Sequence, residues 1–260
     1  MEQAPALGSR DPGYDADGGG GEHLRRWYRG DEPEFGRFVF FSDAVYAIAL
    51  TLLVLDVRLD RLVGDVDSPS VLWAAFTDAW PNIFSFALGF LLLGQYWLAH
   101  FDMVGRIRGV DRGLIRWNLL YLGFVAFLPF PTSILGAYGD YPLAVTFFCV
   151  SMAVISGLEA VLFVHARRAD LLRMHISDEV FRFGVIGALL PVVEFMVVIP
   201  IAFVIAPTGS AAWSLVALAV LAPALGHLLR VRAPEGVEVL TGRSYRGRRH
   251  QPEASSGDGA

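Results

Sequence analysis

The chain has 260 residues, 54% hydrophobic and only 18% charged, with a formal net charge of −5. A soluble domain carries about 25% charged residues, so the composition excludes an ordinary water-soluble globule and points to a polytopic membrane protein. The acidic balance argues for no nucleic-acid partner, and the single cysteine, Cys149, excludes an intrachain disulfide or a cysteine-based metal site.

Residues 1–34 hold eight acids against four arginines, and the stretch "DPGYDADGGGGE" is rich in Gly and Asp. Such a segment buries too little apolar surface to fold, so it is expected to be a disordered acidic tail. Six apolar segments follow, near 38–57, 81–100, 114–131, 141–165, 181–205 and 211–231, each about the length of a membrane crossing. They are apolar all round and lack the strict alternation of a barrel strand, so they are predicted to be helices. Pro81 is expected at the start of the second span, where a missing N–H costs nothing. "PFP", Pro129 to Pro131, is expected to close the third, leaving "TSILGAYGDY" as a loop. Pro191 predicts a kink in the fifth.

The connections alternate in charge. Arginines precede span one and fill the second and fourth connections (Arg106, Arg108, Arg112; Arg167, Arg168, Arg173, Arg182) and the C-terminus. The first connection is dominated by aspartates, and the third and fifth have no arginine. The positive-inside rule then gives an all-α membrane protein with six transmembrane helices and both termini cytoplasmic. One six-helix domain is expected over 35–232, with a second disordered cytoplasmic tail over 233–260.

Within the first span, "RFVFFSDAVYAIALTLLVLD", Asp43 lies a turn or two inside the apolar run. An intramembrane carboxylate costs about 2.5–3.5 kcal/mol even on lenient scales. At about 100° per residue, with Asp43 at zero, Leu55 falls near ~120°, Ile48 near ~140° and Leu52 near ~180°. These three make an apolar stripe with Thr51 on its flank, and Asp43 points away from it. Arg37 falls beneath the stripe and does not pair with Asp43 along one face. On spacing alone the stripe suits lipid or bundle contact as well as a pore. Asp43 is either a proton or cation site or a buried acceptor locking helices together. Candidate donors are Trp97, His100, Trp117 and Asn118.

The segment Arg37-x-x-x-Phe41-Ser42-Asp43 resembles the RxxxFSD signature of the lysosomal potassium channel family and its prokaryotic relatives. "AWPNIFSFALGFLLLGQYWLAH" resembles the second helix of that family, and "RWNLLYLGFVAFLPFPTSIL" the third. The likeness covers residues 34 to 135, and the single motif is similar to the prokaryotic single-repeat type. It implies a homotetramer in the cell membrane of a prokaryote, permeable to potassium ions and surrounded by lipid, with the first helix of each subunit lining a central pore. Counted from the motif, the implied constriction falls on Ile48, Leu52 and Leu55, with Thr51 as a nearby hydroxyl. The resemblance implies an interhelical network of Arg37, Phe41, Ser42 and Asp43 with Trp97, His100 and Asn118.

No TVGYG-like loop is present, so a weakly selective leak channel with a hydrophobic gate is expected, not a carbonyl filter. The alternative is an ion-coupled secondary transporter using the intramembrane carboxylates Glu159 and Glu194. No cofactor is implied beyond the permeant potassium. No nucleophile elbow, phosphate loop or paired metal motif argues for an enzyme.

Overall fold

The computed structural model describes residues 27–29, 33–57 and 69–231. The expectations for the remainder of both tails, and for the aspartate-rich first connection, lie outside the described residues. Seven α-helices, two 3₁₀ turns (Leu53–Asp56 and Ala211–Leu215) and one small β-ribbon are described: β1 (Trp27–Arg29), α1 (Pro33–Leu52), α2 (Pro69–Arg106), β2 (Gly109–Asp111), α3 (Arg112–Phe127), α4 (Pro129–Tyr138), α5 (Pro142–Arg168), α6 (Asp178–Ile205) and α7 (Val216–Val231). Five apolar stretches are long enough to cross a membrane: Pro33–Leu55, Pro69–Arg106, Arg112–Tyr138, Pro142–Arg168 and Asp178–Ile205.

Local chemistry sets several of the helix ends. Pro142 occupies the first turn of α5, where its lost donor is harmless. The Asp111 side chain caps α3 by accepting from Leu114 N at 2.7 Å. Ser177 caps α6, and Asp178 and Glu179 follow in its first turn, where acids complement the helix dipole. His165, Arg167 and Arg168 end α5 with the opposite sign.

Two expectations about proline are corrected. Pro81 lies well inside α2, which begins twelve residues earlier at Pro69. Helices in lipid tolerate an internal proline because neighbours re-satisfy the freed carbonyl. "PFP" does not end the third span. Leu128 keeps helical backbone angles between α3 and α4, so the path continues to Tyr138 and "TSILGAY" is helical. The tail expectation is also corrected in part, because Trp27–Arg29 form a strand.

α5 is the central element. Val145, Phe148, Cys149, Met152, Ile155, Leu162 and Ala166 are all fully buried along it. It packs against α6, α3 and α4, while α1 leans on α3 and α2, and α2 on α4. The α2–α4 contact is tight because it is made by small residues. A Cβ on Gly136 would lie 2.5 Å from Asn82 Oδ1, and one on Gly89 would lie 3.0 Å from Thr132 Cγ2.

At one end of the bundle, β1 pairs antiparallel with β2, Tyr28 opposite Val110. The backbone just before β2 is held on its other side: Ile107 bridges Leu172, and Arg108 N donates to Leu171 O at 2.7 Å. His165 Nε2 sits 2.9 Å from Asp111 Oδ1 at the same end. A Cβ on Gly113 would meet that imidazole at 2.5 Å.

Candidate pore helix and its supporting contacts

α1 has two unlike faces. Phe35, Phe38, Ser42, Tyr46 and Ala49, followed by Leu53 of the adjoining 3₁₀ turn, are buried against the bundle. Their spacing of three and four residues is that of one helix face. The opposite side is bare. Ile48 is 59% exposed, Leu52 40% and Leu55 60%, and Thr51 is exposed beside them. The stripe derived from helical rotation therefore faces away from the protomer's own bundle. The Thr51 hydroxyl donates to Ile48 O at 2.8 Å, which ties its hydrogen to the helix and leaves its oxygen free to accept.

The buried face carries the polar contacts. Trp97 Nε1 of α2 donates to Asp43 Oδ1 at 3.0 Å. Asn118 Nδ2 of α3 donates to Ser42 Oγ at 3.0 Å, and Ser42 in turn donates to Phe38 O at 3.0 Å. His100 lies among these helices with its ring stacked on Tyr121, centroids 5.3 Å apart. Ser42, Asp43, Trp97, His100 and Asn118 are thus brought together around α1. Arg37 and Phe41 are not, since both are exposed. Arg37 has no ion-pair partner among the described residues. Trp117 is 41% exposed, and the indole that meets Asp43 is that of Trp97.

Sequence reasoning missed two contacts. The Tyr46 and Tyr121 hydroxyls bond to one another, as do those of Tyr96 and Ser156. The available signal was positional: Tyr46 lies on the same face as Ser42, and Tyr96 precedes His100 by one turn. Among the described residues no three His, Cys, Asp or Glu side chains converge as metal ligands.

An apolar multi-helix bundle whose first helix turns polar contacts inward and an apolar ridge outward defines a polytopic membrane protein. The family model described as endosomal/lysosomal potassium channel TMEM175 matches residues 37–129. A potassium channel of Streptomyces collinus is 32% identical over 190 residues, covering 71% of this chain and 90% of that one. A potassium channel of Chamaesiphon minutus is 31% identical over 153 residues, covering 57% of this chain and 73% of that one. The chain belongs to the TMEM175 family. The crystal structure of a TMEM175 homolog from Chamaesiphon minutus shares the fold, with a TM-score of 0.53 at 23% identity over 77% of this chain and 98% of that one. The family is one of ion channels and not of enzymes.

Proposed function

We propose that the protein is a weakly selective, leak-type potassium channel of a prokaryotic plasma membrane. It is a homotetramer in which α1 of each subunit lines a central pore. Ile48, Leu52 and Leu55 form the constriction, with Thr51 beside it. The observation that carries this reading is the outward apolar stripe on a helix whose other face holds its polar groups (Ser42, Asp43) against α2 and α3. Family membership supports it: the two bacterial relatives are potassium channels.

The physics of such a neck is simple. Four copies of an apolar ring resist water and penalise partial dehydration, and the ring closes by dewetting. Potassium holds its hydration shell less tightly than sodium, so the penalty favours potassium modestly. The exposed Thr51 hydroxyls offset part of the lost hydration. Ser42, Asp43, Trp97, His100 and Asn118 act behind the wall as the network that seats α1. Arg37 and Phe41, bare on the single protomer, meet neighbouring subunits.

Six spans with both termini cytoplasmic complete the proposal. The sixth is built from the 3₁₀ turn Ala211–Leu215 and α7. Five residues at about 2.0 Å and sixteen at about 1.5 Å reach roughly 34 Å, enough for a hydrocarbon core of about 30 Å. The alternation of arginine-rich and arginine-poor connections supports this count.

Purified protein in a planar bilayer, with potassium on one side and sodium on the other, tests the reading. The expected result is a passive current whose reversal potential follows the potassium gradient. In Ile48→Asn and Leu52→Asn the current is expected to rise several-fold and ion discrimination to weaken. Unchanged conductance in both variants removes the pore assignment.

A further inference from the structure

α3 also has two faces. Leu114, Asn118, Tyr121 and Val125 are buried against the bundle. On the opposite side stand Arg112, Arg116, Leu119, Leu120, Gly123 and Phe127, all exposed. At about 100° per residue these six fall within roughly 100° of arc. The outer face thus opens with two cations and continues as an apolar strip. From Arg116 to Phe127 the helix rises about 16 Å, close to the depth of one hydrocarbon leaflet, about 15 Å. Trp117, partly exposed beside Arg116, is of the residue type that gathers at the headgroup level.

These two arginines serve no contact within the protomer. Nearby, Arg106 meets Asp102, Arg108 meets Asp170, and Arg173 donates to Ile107 O. Arg112 and Arg116 make neither an ion pair nor a hydrogen bond among the described residues, and α3 contains no acid. Arg112 opens the helix, where the macrodipole disfavours a cation. The positive-inside rule asks for arginines in the connection, whereas Arg116 lies more than a turn inside an apolar span. Guanidinium groups one turn apart on one face present forks of donors that match phosphate oxygens. Helix side chains lean toward the N-terminus, which brings Arg116 toward the level of Arg112. We propose that this face of α3 binds an anionic phospholipid, with its phosphate on Arg112 and Arg116 and an acyl chain along Leu119, Leu120, Gly123 and Phe127. A net negative headgroup fits better than a zwitterionic one, because the latter brings its own cation to a site that already holds two. Placing the lipid in the inner leaflet rests on the topology proposed above.

Native mass spectrometry of the full-length protein in detergent, titrated with dioleoyl phosphatidylglycerol, tests the assignment. The wild type is expected to bind this lipid more tightly than phosphatidylcholine of the same chains. Arg112→Gln and Arg116→Gln are each expected to weaken it about fivefold, and the double variant about thirtyfold. Arg182→Gln, whose arginine has Asp178 and Glu179 one turn back on α6, is expected to leave it unchanged. Equal affinity for the two lipids, or wild-type binding in the double variant, overturns the proposal. Displacement of the lipid by inorganic phosphate also overturns it, since the site would then take a free anion. So does a double variant that loses oligomer while its lipid binding is unchanged, which assigns the face to a sister subunit. A photoactivatable phosphatidylglycerol on the wild type needs no variant: cross-links are expected within Arg112–Phe127, and cross-links confined to other helices overturn the proposal. Neither readout needs ion conduction, so its failure is distinguishable from failure of the channel reading.

Discussion

Asp43 shows how one charged side chain is kept in an apolar helix. Left alone in lipid it would cost about 2.5–3.5 kcal/mol, but the Trp97 indole N–H meets it at 3.0 Å. A hydrogen bond to a charged group contributes about 1.5–3 kcal/mol. Asp43→Ala strands that indole without an acceptor, and the expected outcome is less assembled oligomer on a native gel. Trp97→Phe is expected to act in the same direction, and the double variant to lose less than the sum of the two. Additive losses would show that the two side chains do not act through each other. Asp43 was legible in the sequence because a carboxylate stands out in an apolar run. Its partner was not. Four donors shared its depth, and only packing assigned Trp97 to Asp43 and Asn118 to Ser42. For the Tyr46–Tyr121 bond the sequence offered only the shared face of Tyr46 and Ser42, which names no partner on α3.

Between elements, close approach is set by residues without side chains. Gly113, in the first turn of α3, leaves room for the His165 imidazole to reach Asp111. Gly113→Ala places a methyl 2.5 Å from that ring, and overpacking of this kind costs about 1–3 kcal/mol. The expected result is a lower melting temperature in a detergent thermal scan. His165→Ala, which empties the space, is expected to restore part of it in the double variant. Gly136 plays the same part between α4 and α2. Helix interiors were readable from apolar length, but their ends were not. Pro81 and "PFP" read as punctuation because in water an unbonded carbonyl finds solvent and the helix stops. In lipid the helix continues through the interruption, as α2 and the α3–α4 path both do.

At the scale of the whole molecule, the sequence speaks through charge. Arginines on alternate connections set an expected sidedness that no single helix reveals. This is tested by adding one cysteine at a time, with the native Cys149 buried and silent. Gly209→Cys, in the connection after α6, is expected to react with a membrane-impermeant thiol reagent from outside the cell. Met174→Cys, in the connection after α5, is expected to react only once the membrane is opened. The opposite pattern reverses the topology, and labelling of both from one side breaks the span count. Subunit number has no such trace, because an apolar ridge is chemically alike whether it meets lipid or a sister subunit.

The ribbon joining Trp27–Arg29 to Gly109–Asp111 has a mechanical meaning. The leader of the candidate pore helix is stitched to the corner between α2 and α3, and that corner is stitched again to the turn after α5. In the proposed channel, tilting of α1 is therefore expected away from this ribbon, toward the end that carries Ile48, Thr51 and Leu52.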